Sequence, residues 1–164
     1  MKKVAVIMGS DSDLPIVERG IAVLKDYGIP HEVHIYSAHR SPVECREFVT
    51  GAKANGFGVI IAAAGMAAHL AGAIAAATTL PVIGIPISSK NTGGIDALLS
   101  TVQMPSGIPV ATVAIDGAAN AAHLAAEILA LSEPDLAARL EEVRSASHEK
   151  VLAKDREISA RFAD

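Results

Sequence analysis

At 164 residues the chain has room for one domain with a substantial hydrophobic core. Hydrophobic residues make up 51% and charged ones 20%, and the formal net charge is -4, so there is no basic face to neutralise nucleic-acid phosphates. The lone cysteine, Cys45, excludes an intrachain disulfide framework and points to a reducing compartment, the cytoplasm.

The chain opens with MKKVAVIMGSDSD, whose apolar run over 4–8 is far too short for a signal-peptide core or a membrane span. It predicts a strand over 4–9, followed by a helix with Pro15 in its first turn. HEVHIYS predicts a second strand over 32–37, read as buried, and the run holding Cys45 a second helix. The third strand, 59–65, enters an Ala-rich stretch that His69 and glycines 58, 65 and 72 interrupt or flank. A strand and a buried helix fit that stretch better than about 20 clean apolar residues crossing a bilayer. Strands are also predicted over 81–87 and 109–115, and glycines 28, 56 and 117 fall near element ends, where a positive φ is useful.

VIIAAA and VATVAI are apolar on consecutive positions, the pattern of parallel strands covered on both faces. The expectation is an α/β protein, a three-layer α/β/α sandwich with a central parallel sheet, forming a single domain over 1–164. The core is expected over 1–131 and a helical extension over 132–164. In that extension Leu136, Leu140, Val143, Val151, Ile158 and Phe162 follow helical spacing beyond the last strand, which suits packing on a neighbouring subunit.

Ligands of open parallel sheets bind outside the carboxyl ends of the strands. The segments there read GSDSD, SAHRSP, GMAAHLAG and ISSKNTGG. In GSDSD, Ser10 is a candidate donor to phosphate or ribose, and Asp13 either accepts from sugar hydroxyls or simply caps the following helix. In SAHRSP, Arg40 offers a planar fork for an anion, and His39 is the residue type that gives and takes a proton near neutrality. The alternative there is a surface ion pair and a helix cap. His69 is either a hydrogen-bonding group beside the site or a satisfied, half-buried residue. His31 and His34 fall on opposite faces of a strand, His123 and His148 read as structural or solvated, and no His/Cys/carboxylate cluster has zinc spacing. A phospho-receiver domain lacks its Asp after the third strand and Lys after the fifth, and a flavin domain lacks aromatic stacking partners.

Taken together and in order, GSDSD, SAHRSP, AAAGMAAHLAG, LPVIGIP and LLSTVQMPSGIPVATVAI resemble the 5-(carboxyamino)imidazole ribonucleotide mutases of purine biosynthesis. The resemblance implies a flavodoxin-like fold and a small-molecule ribonucleotide substrate whose carboxylate moves from the exocyclic nitrogen to C4 by way of CO2. It implies His39 as the general acid/base, with Ser10, Asp13, Arg40, Ser37, Gly65, His69 and Ser88 as substrate-binding residues. It further implies no metal or organic cofactor, no nucleic-acid or membrane partner, and a homo-octamer. The chain departs from many relatives at Met66, where they carry Gly, and at Ala71, where they carry Pro. A related branch that carboxylates aminoimidazole ribonucleotide directly has a polar stretch in place of GMAAHL, so the mutase is the expected activity. The other readings are that direct carboxylase and a non-catalytic nucleotide-binding module.

Overall fold

The computed structural model describes residues 1–163. Five strands, β1 (Lys3–Met8), β2 (His31–Ile35), β3 (Phe57–Gly65), β4 (Val82–Ile87) and β5 (Ala111–Thr112), pair in parallel in the order β2-β1-β3-β4-β5. This is the flavodoxin-like doubly wound order, with the switch point between β1 and β3. The helices are α1 (Leu14–Asp26), α2 (Pro42–Ala52), α3 (Leu70–Ala75), α4 (Ile95–Val102), α5 (Ala118–Ala130) and α6 (Pro134–Arg161).

Side chains of a strand alternate between faces, and both faces of this sheet are covered. Val4, Val6 and Met8 of β1 pack with Val17 and Leu24 of α1, Ala121 and Ala125 of α5, and Leu136 at the start of α6. Ala5 and Ile7 join Cys45 and Val49 of α2 and Leu70 and Ile74 of α3 on the other face. Each Val, Leu or Ile fully buried in this way contributes about 1.5–3 kcal/mol. This accounts for the uninterrupted apolar runs and establishes the three-layer sandwich. Small residues allow the layers to approach: a Cβ on Gly20 of α1 would lie 2.6 Å from the Ala118 carbonyl oxygen of α5. Ala62, Ala63, Ala64, Ala71 and Ala75 are likewise buried in the subunit's own core.

Three expectations need correction. The fifth strand is two residues long, not the seven of 109–115. Pro86 of β4 has no N–H to extend that ladder. Val113 N–H donates to the Gly84 carbonyl, but the next bond, to the Pro86 carbonyl, comes from Asp116, one residue late for a parallel register. Second, Gly117 does not hold the left-handed turn before α5. Asp116 does, at φ 57°, whereas Gly117 has φ -80° and is needed because a Cβ there would press on the Ala114 carbonyl. Third, β2 is an edge strand with Val33 and Ile35 exposed, so its apolar alternation is not that of a strand buried on both faces.

Among the described residues Met66 is the other non-glycine residue in left-handed backbone, at φ 52°. L-residues are strained there by roughly 1–2 kcal/mol, β-branched ones most severely. Thermal unfolding is therefore expected to show Met66→Val less stable than the parent protein and Met66→Gly equal or more stable.

Candidate active site

The cavity at the carboxyl edge of the sheet has a volume of about 520 Å³ and collects residues from the loops after β1, β2, β3 and β4. It is walled by Ser10, Ser12 and Asp13, then Ser37, His39 and Arg40, then Gly65 and Met66, and finally Ser88 and Ser89. Seven of the eight expected site residues thus meet in one place. Ser12 and Ser89 are additions; each is the second hydroxyl of a loop already singled out, which was the available signal.

The loop after β1 is shaped by its own hydrogen bonds. The Ser10 hydroxyl accepts from the Ser12 amide at 3.3 Å, and the Asp13 carboxylate accepts from the Ser10 amide at 3.2 Å, a capping box around a 3₁₀ turn over Asp11–Asp13. Asp13 stands at the N-cap position of α1 yet makes no side-chain cap bond to that helix. Its carboxyl is turned back toward Ser10, so its capping role is to the 3₁₀ turn and not to α1. Asp13 is only 6% exposed, and burial pushes its pKa above the ordinary value for an aspartate, against the lowering effect of bonds from Ser10 and Ser12 and of the Arg40 charge.

The loop after β2 is a serine-laced turn. The Ser37 hydroxyl accepts from the amides of His39 (3.3 Å) and Arg40 (3.1 Å), and the Ser41 hydroxyl accepts from the Ser37 amide at 2.9 Å. These bonds fix the backbone that carries His39 and Arg40 while both side chains stay exposed. Arg40 Nη2 donates to the Gly9 carbonyl at 2.9 Å, which ties the second loop to the first and leaves most of the guanidinium's five N–H groups free. A planar cation, two serine hydroxyls and an imidazole therefore share one cavity wall.

His69 is not brought to this cavity, contrary to its expected place in the pocket. Its Nδ1 lies 2.5 Å from the Ser100 carbonyl oxygen of α4, and its ring lies over Gly72, where a Cβ would collide with it. Ala68 lines the cavity, whereas the exposed Ala67 does not. The remaining histidines are engaged elsewhere: His31 Nδ1 with the Ile29 carbonyl at 2.8 Å, His34 stacked on Tyr36, and His123 Nδ1 with the Tyr27 hydroxyl at 2.9 Å; His148 is exposed on α6. Burial pushes the Cys45 thiol up, as suits an inert packing residue. Among the described residues no three His, Cys, Asp or Glu side chains converge as metal ligands, and no helix is long and apolar enough to cross a membrane.

Because the pKa of Asp13 is raised by folding, the native state binds its proton more tightly than the unfolded chain does. Stability attributable to Asp13 is therefore highest below the unfolded pKa and falls as pH rises through the folded one. Asp13→Asn, which retains an acceptor for Ser10, is expected to melt above the parent protein at neutral pH. The advantage should shrink on acidification into the carboxylate range, as followed by Tm against pH.

A family model described as AIR carboxylase matches residues 3–150. The N5-carboxyaminoimidazole ribonucleotide mutase of Pyrococcus abyssi is 54% identical over 144 residues, covering 88% of this chain and 83% of that protein. That of Methanocaldococcus jannaschii is 50% identical over 159 residues, covering 97% and 99%. Among solved structures, Treponema denticola PurE superposes with a TM-score of 0.86 at 29% identity, covering 94% of this chain and 96% of that one. With its parallel sheet, its switch-point cavity and these relatives, the chain belongs to the AIR carboxylase family.

Proposed function

We propose that the protein isomerises 5-(carboxyamino)imidazole ribonucleotide to its 4-carboxy-5-amino isomer. The observation that carries this reading is the pairing of His39 and Arg40 in one hydrogen-bonded turn, opening on a cavity with Ser10, Asp13 and Ser88. The namesake activity of relatives about 50% identical to it supports the same conclusion.

The residues divide the work by chemistry. Arg40 supplies the cation that suits a 5′-phosphate, the Ser10 hydroxyl turns to it from its long 3.1 Å bond to Asp11 and Ser12 follows, and Asp13 supplies an acceptor for a ribose hydroxyl. In its protonated form His39 gives a proton to the exocyclic nitrogen as the N–carboxylate bond breaks; the bonding pair stays on nitrogen and CO2 is released. The amine then pushes electron density into the ring, C4 attacks the carbon of CO2, and the now neutral His39 removes the C4 proton. One proton is given and one taken back, so the sum is an isomerisation and the histidine is restored.

The same reading makes the protein a cytoplasmic homo-octamer. α6 extends about 42 Å at 1.5 Å per residue, yet from Arg144 onward its described residues are exposed, Phe162 to 77%. Leu136, Leu140 and Val143 hold its first half to the core, and Val151, Ile158 and Phe162 continue that stripe with nothing of this subunit beneath them. A neighbouring copy is the occupant that fits. Sedimentation equilibrium is expected to return the mass of eight chains; a monomer at micromolar concentration would refute the assembly.

The activity is tested by ultraviolet assay of fresh N-carboxylated aminoimidazole ribonucleotide in CO2-depleted buffer. The parent protein should form the C4-carboxylated product at once. His39→Asn should lose at least a hundredfold in kcat while keeping its affinity within a few fold. Product appearing only from aminoimidazole ribonucleotide and bicarbonate would assign the direct carboxylase instead.

A further inference from the structure

Ser88 closes the β4 side of the cavity, and its two donors are both spent on one residue. Its amide donates to Asp116 Oδ1 at 2.8 Å and its hydroxyl donates to Asp116 Oδ2 at 2.6 Å. Asp116 reaches this position from the loop before α5 in left-handed backbone at φ 57°, and its own amide is anchored on the Pro86 carbonyl at 2.9 Å, two residues before Ser88. Asp is among the residue types that enter this conformation most readily, so the turn and the carboxylate come together.

We infer that Asp116 is a positioning residue that sets the hydrogen-bonding polarity of Ser88, so that this residue of the β4 wall offers only acceptors and takes a donor group of the ligand, a ribose hydroxyl or an amino hydrogen. With its N–H and O–H committed, Ser88 has only lone pairs, on its hydroxyl and carbonyl oxygens, for a bound molecule. An anion placed there would meet those lone pairs and, behind them, the Asp116 carboxylate. Arg40, with its cation and free N–H donors, lies on the β1 and β2 side beside the Asp13 carboxylate, and the Ser88 acceptors lie on the β4 side. A phosphate is thereby favoured at Arg40 and disfavoured at Ser88, where a neutral donor is favoured instead. This inference rests on the ribonucleotide reading above, which supplies both groups.

Asn and Gly also accept left-handed backbone, so variants of Asp116 keep the turn. In Asp116→Asn the amide nitrogen donates to the Ser88 hydroxyl and turns its proton toward the cavity; Asp116→Gly removes the clamp. Calorimetry with aminoimidazole ribonucleotide and with its 2′-deoxy and 3′-deoxy forms reads the consequence. Ser88→Ala and Asp116→Asn are each expected to weaken the ribonucleotide about tenfold, the value of one hydrogen bond, with the loss appearing in KM and not in kcat. If the donor is a ribose hydroxyl, one deoxy form binds the parent protein as weakly as the ribonucleotide binds Ser88→Ala, and loses nothing further in that variant. If it is the amine, both deoxy forms suffer the full Ser88→Ala loss.

Unchanged affinity in Asp116→Asn beside a loss in Ser88→Ala would make Ser88 a donor and overturn the inference, as would no change in either variant. Exchange of the Ser88 amide by NMR separates this from failure of the functional reading. Slow exchange in the parent and at least tenfold faster exchange in Asp116→Gly supports the clamp; equal rates overturn it. A parent protein that binds no aminoimidazole ribonucleotide refutes the functional reading and, with it, the ligand assignment at Ser88.

Discussion

Parallel pairing is the constraint from which the rest of this molecule follows. Each strand must return to the same end of the sheet before the next begins, so every connection needs a crossover and both faces become covered. The carboxyl ends of β1, β2, β3 and β4 then open along one edge. Because the order is β2-β1-β3-β4-β5, the chain leaves β1 in one lateral direction and β3 in the other, and the loops diverge over the gap between them. The cavity occupies that gap. Its residues are scattered over some eighty positions of sequence, but the sheet delivers them to a few adjacent loops.

What the loops share is that short polar side chains are used first on the backbone and only then on a ligand. The Ser10–Asp13 box, the Ser37 and Ser41 bonds and the Asp116 clamp on Ser88 each fix a turn before anything binds. His39 and Arg40 are held by their backbone, so the imidazole and most of the guanidinium need not be pulled from competing partners when substrate arrives. Preorganisation of this kind reduces what must be ordered on binding. It does so here with hydroxyl and carboxylate groups that sequence inspection alone would assign to the ligand.

The layers, the ends of β1, β3 and β4, and the loops that bring seven of the eight candidate residues to one cavity were legible because they depend on local patterns: continuous apolar runs, then polar residues just past them. The misses depended on distant residues. β5 stops short because of Pro86 on another strand, and no feature of VATVAI announces it. The orientation of His69 is set by the Ser100 carbonyl, 31 residues away, and by the absence of a side chain at Gly72. At Asp116-Gly117 the glycine was the natural choice for the left-handed turn, but either residue type tolerates it, and the Ala114 carbonyl leaves Gly117 a different task. Asp116 lies just past the strand expected over 109–115 and carries no local signal, since its partner Ser88 lies 28 residues earlier.

The brevity of β5 also bears on solubility. An open sheet of five parallel strands has two unpaired borders, each a template onto which another chain could add. On the β5 side the regular ladder covers only Ala111 and Thr112, and the chain then slips by a residue and turns away at Asp116. A stray strand would find almost no straight row of amides and carbonyls to match. On the β2 side, where Val33 and Ile35 are exposed, the Lys3–Glu32 ion pair at 2.6 Å places charge beside the open strand. The irregularity that carries Asp116 to Ser88 thus also shields the sheet against fibrillar growth along one of its borders.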